Sequence, residues 1–463
     1  MGARSRPIIR ELDVAPEVLR RLATRHPDRY PVLFDSAADG PLSQTSILVA
    51  EPRASLWLDR EGRLGADALV PRGTSFLEAL ENWWLAERLP ATPGELPFCG
   101  GWALFLSYEL AQEVEPQLRL PRAHLPWQAF AIRSPAALVH ERSSGRVYIA
   151  GESEAADVVR RIEADARDVA GPDGAAPQPV QVEELIEEPP EAYLQRVIRA
   201  KEYVRAGDIY QANLSRPWNV RLSGEPDVGA LYSRLCSVNP APFAALAQWR
   251  GAKILSSSPE RLVRIQGSRI DTRPIAGTRP RSRRPGDDHA EMTELARHPK
   301  ERAEHIMLID LERNDLGRVC RAGSVRVDEL MSIESYAHVH HIVSNVSGEL
   351  RSEVTPIGAL RAVFPGGTIT GCPKFRCMQI IAELEGQGRG AYTGSLGFLG
   401  RDGSMDMNIL IRTMTVLERH VELRAGGGIV ADSDPQRELE ETRAKARGML
   451  AAFAPATCPG ASA

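Results

Sequence analysis

Between residues 28 and 60 the chain sets short apolar runs, Tyr30–Phe34, Ser46–Ala50 and Ala54–Leu58, between polar turns, a pattern that predicts strands joined as hairpins. From Ser75 to Arg88 the apolar positions take helical spacing with an aromatic stripe, and the Trp83–Trp84 pair within it reads as core. Pro97–Tyr108 then joins Gly100 and Gly101 to an unbroken apolar run, as expected of a buried strand that another backbone approaches closely. Strands are predicted again at Ala136–His140 and Val147–Ala150.

From Gly171 to Pro190 the composition turns Gly/Pro-rich and then acidic, which reads as a linker or surface crossover. It divides the chain softly into residues 1–170, a linker at 171–190 and residues 191–455. Helical periodicity returns from Tyr193 to Arg205 and stops at Gly207. Strands follow at Ile209–Leu214 and Ala252–Leu255, the second opening onto Ser256–Glu260, so that Glu260 lies just past a strand end, where active sites commonly sit. Asp271–Arg279 reads as a strand closing on a glycine turn, and Pro280–Asp288 as a mobile polar loop.

The stretch that organises the rest is Phe364–Lys374, with three glycines, two prolines and two threonines, running into the helical pattern Met378–Leu384. A tight loop feeding a helix N-terminus exposes backbone N–H groups and the positive end of the helix dipole, a setting for an anion. The spacing of Gly366 and Gly371 suggests a phosphate-binding loop, but Cys372-Pro373 stand where Lys and Ser/Thr are needed, leaving a carboxylate as the favoured anion. A Gly-rich turn with a purely structural job fits the same residues.

Composition narrows the class. With 463 residues, one large or two medium domains are expected, and 43% apolar with 25% charged residues describes a soluble globular protein. A net charge of -4, with both signs interspersed, gives no attraction to nucleic acid or an anionic membrane. No apolar run approaches the roughly 18 residues of a membrane span, and residues 1–7 lead into a charged segment rather than a signal peptide. The six scattered cysteines fit reduced thiols, and a cytoplasmic location is expected.

Two helical segments carry glutamates three residues apart: Glu301 and Glu304 within Pro299–Asp310, and Glu438 and Glu441 within Arg437–Lys445. Brought together, they would supply hard oxygen ligands for Mg²⁺ bridging to an anionic substrate. Left apart, they are solvated helix faces with Arg and Lys partners. Of His338, His340 and His341, the first two would share one face of a strand and the third the other, which argues against a three-histidine zinc site.

Seven ordered blocks carry a resemblance to the chorismate-utilising enzymes, which include the first components of anthranilate synthase and aminodeoxychorismate synthase: Ser256–Glu260, Pro274–Thr278, Lys300–Asp315, His341–Ser344, Pro365–Lys374, Ile411–Thr413 and Ala425–Ser433. The resemblance implies one interleaved α/β body of the α+β type, with two large, mostly antiparallel sheets in a central sandwich and helices outside. It implies Mg²⁺ on Glu304 and Glu441 with Glu301 and Glu438 in support. Arg412 and the backbone of Gly426, Gly427 and Gly428 would take the enolpyruvyl carboxylate of chorismate. Lys374, Thr368, Tyr392, Ala276, Gly277 and Thr278 would line the same cavity, and Glu260 and His341 would be acid/base groups near the departing 4-hydroxyl, with Thr368 beside them.

Tyr210–Leu214, Thr368–Gly371 and the triple glycine resemble the aminodeoxychorismate branch, which aminates C4 of the ring. Ala276 resembles the anthranilate branch, which aminates C2. The resemblance further implies a glutamine amidotransferase partner supplying ammonia, and a tryptophan pocket near Ser36.

Overall fold

The computed structural model describes residues 6–40, 42–68, 70–90, 96–171, 180–281, 284–335 and 339–453. Its strands form two antiparallel sheets of twelve and eleven strands among the described residues. The first sheet runs from the edge strand Ile8–Leu12 through Thr45–Ala50, Val32–Asp35, Phe243–Trp249, Ala252–Ser258, Thr413–Leu417 and His420–Ile429 to Gln211–Leu222 and Val182–Glu187. The second runs from Ile275–Pro280 through Val339–Glu349, Arg261–Gln266, Met405–Asn408, Ser395–Gly400, Gly101–Leu106 and Trp127–Ser134 to Leu64–Ala66.

Both sheets therefore take strands from before and after residues 171–190, and the two halves of the sequence interleave. That stretch is not wholly a linker. Val182–Glu187 pairs antiparallel with Gln211–Leu222 as an edge strand, its Glu183 and Glu184 answering Arg221 at 3.4 and 2.9 Å. Acidic residues on a sheet edge discourage pairing with a further strand, so composition alone mimics a linker there.

Gly101–Leu106 shows how the layers pack. All six residues are buried. Trp102, Leu104 and Leu106 join Phe76, Trp83, Ile309, Leu360 and Met378 in the layer between the second sheet and its helices. Ala103 and Phe105 face the other way, into a core with Val32, Ile254, Trp127 and Phe130 that lies between the two sheets. A strand buried on both faces has no polar side to alternate with, hence the unbroken apolar run. At Gly101 a β-carbon would overlap the Leu399 carbonyl, the close approach that the glycine predicts. A third core, with Leu22, Val159, Leu231 and Met449, seals the outer face of the first sheet with helices.

The predicted helix at Ser75–Arg88 forms as Phe76–Glu87, with Ser75 capping the Glu78 amide. Pro280–Asp288 departs from a mobile loop: the helix Pro285–Arg297 begins inside it, with proline at its start and Asp287 and Asp288 in its first turn. His338 and Cys458 lie outside the described residues, as does the side chain of Thr278.

Candidate active site

Glu260 follows the strand Ala252–Ser258, its amide bonded to Ser258 Oγ at 3.2 Å and its carbonyl to the Ile409 amide at 3.0 Å. Thr368, on the loop between the helices Pro356–Val363 and Lys374–Glu385, donates to Glu260 Oε1 at 2.7 Å. The carboxyl is 5% exposed. Burial pushes its pKa up to about 7, against the opposing pull of the Thr368 hydroxyl, the Ile275 amide and Arg412. Near neutral pH this group holds a proton that it can give or recover.

Arg412 takes a left-handed backbone, φ 51°, and its carbonyl accepts from the Ser257 amide at 3.0 Å. Burial lowers the proton affinity of its guanidinium and Glu260 raises it, yet no carboxylate among the described residues forms an ion pair with it. A half-buried fork of N–H donors without a protein anion in an ion pair suits a planar carboxylate.

His341 sits on the strand Val339–Glu349, 3% exposed, with Nδ1 3.3 Å from the Gly277 carbonyl. Burial, then the charges of Arg412, Lys445 and His340, push its pKa down to about 3. The ring is neutral at pH 7. A carbonyl accepts only from N–H, so the proton lies on Nδ1 and Nε2 is an acceptor.

Gly277 lies in the left-handed region, φ 61°, at a bulge between Ala276 and Thr278 in the pairing with Ile342 and His341. A β-carbon there would stand 2.8 Å from Leu295 Cδ1 and 3.0 Å from Glu301 Oε2, so glycine leaves room for that carboxylate. Ala276 beside it is buried and carries no group able to react.

Gly426, Gly427 and Gly428 pair with Ser215, Leu214 and Asn213. On the opposite edge the neighbouring strand's pairing ends with Met414 against Leu423, so it does not cover the glycines, and Lys445 Nζ reaches the Gly426 carbonyl at 2.8 Å. A β-carbon on Gly426 would overlap the Leu214 carbonyl and stand 2.8 Å from the Tyr392 hydroxyl. Tyr392 is buried, with the Arg389 guanidinium 5.6 Å from its ring centre.

One member of the first glutamate pair approaches Gly277, and both members of the second approach Gly427. Glu301 Oε1 lies 3.4 Å from Arg279 Nη1. Glu438 Oε2 and Glu441 Oε1 lie 3.3 and 3.7 Å from where a β-carbon on Gly427 would be, and Glu441 pairs with Lys445 at 2.7 Å. Lys445 also bears on His341, which faces Gly277 beside Glu301, so the helices carrying the two pairs look onto common ground. Glu304 is half-buried one turn from Glu301. No group of three or more His, Cys, Asp or Glu among the described residues is closed around an ion position. The donors are all carboxylate oxygens, which suit Mg²⁺, with Arg279 and Lys445 balancing charge.

Lys374 lies behind the loop that carries Thr368, and Ser36 lies on the first sheet just past the strand Val32–Asp35. The Lys374 ammonium pairs with Asp315 and donates to the Val363 carbonyl at 3.2 Å, so it props the Phe364–Gly371 loop instead of presenting a free charge. Ser36 Oγ donates to the Thr45 carbonyl at 2.8 Å, beside Asp35, which pairs with Arg20 at 2.8 Å.

Three features escaped the sequence reading. Glu312 and Asp315, both buried, stand behind the loop. Glu385, wholly buried, pairs with Arg389 at 2.7 Å and Arg424 at 3.1 Å and accepts from the Ser215 amide at 2.8 Å. Glu312 and Asp315 are three apart on one helix, and Glu385 ends another helix four residues before Arg389; such spacings are the available signal, shared with many solvated pairs.

A proton-bearing acid, a guanidinium without an ion pair and two glutamate pairs around one loop and one glycine edge suit a small molecule bearing more than one carboxylate. The comparison with known proteins names that molecule: the chain belongs to the chorismate binding enzyme family, whose profile matches residues 30–451. Anthranilate synthase component 1 of Streptomyces coelicolor is 40% identical over 404 residues, 83% of this chain and 78% of that protein. Aminodeoxychorismate synthase component 1 of Bacillus subtilis is 47% identical over 263 residues, 57% of this chain and 56% of that one. The crystal structure of anthranilate synthase component I from Streptococcus pneumoniae superposes with a TM-score of 0.78 at 28% identity, covering 89% of this chain and 93% of that one. No helix among the described residues is long and apolar enough to cross a membrane.

Proposed function

We propose that the chain is the chorismate-aminating component of an aminodeoxychorismate synthase, converting chorismate and ammonia to 4-amino-4-deoxychorismate and water. The observation that carries an amination site is Arg412, a half-buried guanidinium with no ion pair among the described residues, set near the Thr368–Glu260 hydrogen bond. Arg412 and the open glycine edge receive the enolpyruvyl carboxylate. Glu260 in its acid form gives its proton to the 4-hydroxyl as the ring C–O bond breaks and water departs. Ammonia forms the new C–N bond, and His341 Nε2 accepts the proton that its nitrogen sheds. Glu301, Glu304, Glu438 and Glu441 would hold Mg²⁺, which when bound screens the ring carboxylate. A glutamine amidotransferase partner would deliver the ammonia.

Amination at C4 is supported by the triple glycine. A second reading, amination at C2 as in anthranilate formation, is favoured by Ala276 and by anthranilate synthase relatives that align over more of the chain. Incubation with chorismate, Mg²⁺ and ammonium, followed by product identification, separates the two. Product that becomes 4-aminobenzoate only after an aminodeoxychorismate lyase is added supports C4. Fluorescent anthranilate without the lyase overturns it.

A further inference from the structure

The Gly366–Thr370 turn rests on a second carboxyl. Glu312 projects from the helix Pro299–Gly317 and is 5% exposed. Its Oε1 stands 3.4 Å from where a β-carbon on Gly367 would lie, one residue before the threonine that bonds Glu260. On its other side is Thr272, whose buried hydroxyl has no hydrogen-bond partner among the described residues.

The charged groups around Glu312 are Asp315 one turn along its helix, Lys374 at the start of the helix beyond the loop, and Glu260 across the turn. The Lys374 ammonium is already bound to Asp315, which also feels Arg318, while Glu260 feels Arg412. An ionised Glu312 would therefore be an added negative charge without a cation of its own in a buried place.

We propose that Glu312 is a positioning residue, a carboxyl kept in its acid form beneath the Gly366–Thr370 turn so that the turn holds Thr368 against Glu260. Burial first, then the charges of Asp315 and Glu260, push its pKa up to about 8, in keeping with that geometry. Glu312 and Asp315, one turn apart, titrate together, and once Glu312 is ionised its repulsion of Glu260 disturbs the turn. This rests on the proposed amination for its activity readout, but not for its stability readout.

The test compares wild type with Glu312→Gln and Glu312→Leu. Chorismate consumption with Mg²⁺ and saturating ammonium is followed against pH, and thermal unfolding is measured over the same range. Wild-type activity should fall above about pH 7 as Glu260 ionises and more steeply above about pH 8 as Glu312 does, and Glu312→Gln should carry that second, steeper limb upward by a unit or more, roughly tenfold higher relative activity at the top of the range. Because a raised carboxyl pKa stabilises the fold below the unfolded value and loses that contribution as pH rises, the melting-temperature gain of both variants over wild type should grow from about pH 5 to pH 8 and then level off. An unmoved limb with a pH-independent melting difference, or failure of both neutral variants to fold, would overturn the proposal. If even wild type consumes no chorismate, the amination reading fails while the unfolding curves still decide Glu312.

Discussion

Two buried carboxyl centres lie within one site and are treated in opposite ways. Glu385 is buried, yet Arg389 and Arg424 hold its pKa below the usual carboxylate range despite burial. Glu260 and Glu312 are comparably buried but lack such cations, and burial raises both. Burial therefore does not separate structural from chemical carboxyls. The partner does. A carboxylate between two guanidiniums is locked in one charge state and serves as scaffold, whereas one left mainly to a hydroxyl and a peptide amide can exchange a proton.

The strongest way to break this contrast is to remove Glu385. Glu385→Ala leaves Arg389 and Arg424 buried without their anion and should cost about 3–5 kcal/mol of unfolding free energy, measured by denaturant titration. A loss under about 1 kcal/mol would mean that the two arginines find other partners, and the scaffold reading would fail. Glu260→Gln is the counterpart. It keeps the shape and an acceptor for Thr368 but has no acidic proton, so kcat should fall by about 10²–10⁴-fold with no loss of stability beyond about 1 kcal/mol.

The same contrast marks what could be read from sequence. Glu260 at a strand end, Arg412 before a strand and the glycine run are local signatures, because backbone geometry and a few neighbours fix their exposure to a cavity. Glu312 and Asp315 have the same three-residue spacing as Glu301 and Glu304 on one helix. Which pair turns inward depends on the angle at which that helix meets the second sheet and on the loop Phe364–Gly371, both set by residues far along the chain. Val182–Glu187 failed for a related reason: its acidic residues describe a solvent-facing edge, and the strand exists because Gln211–Leu222 lies beside it.

A pH series sharpens the comparison at a smaller scale. For Glu260 the folded pKa is raised to about 7, so its contribution to stability is whole below the unfolded value near 4.3 and declines as pH climbs to 7. For Glu385 the folded pKa is lowered, so its contribution is present above about 4.3 and is lost as pH falls further. Melting temperatures should therefore show the Glu260→Gln gain growing between about pH 4.5 and 7, while the Glu385→Ala deficit shrinks only in acid. Parallel difference curves would show that the two centres share one electrostatic environment.

The smallest effect on stability is expected at Gly427, where the choice between ring positions can be tested. A β-carbon there would meet Glu438 Oε2 at 3.3 Å, Glu441 Oε1 at 3.7 Å and Lys445 Nζ at 3.9 Å, all ends of side chains that can shift, and no backbone atom. Gly427→Ala should thus change stability by less than about 1 kcal/mol. Its methyl group nevertheless presses on the carboxylates proposed to hold Mg²⁺, and so on the seat of the ring. If room at this glycine favours amination at C4, the alanine variant should lower the ratio of 4-amino to 2-amino product at an unchanged melting temperature. An unaltered ratio would remove Gly427 from the choice and leave Ala276, the small buried residue beside Gly277, as the position at which to look next.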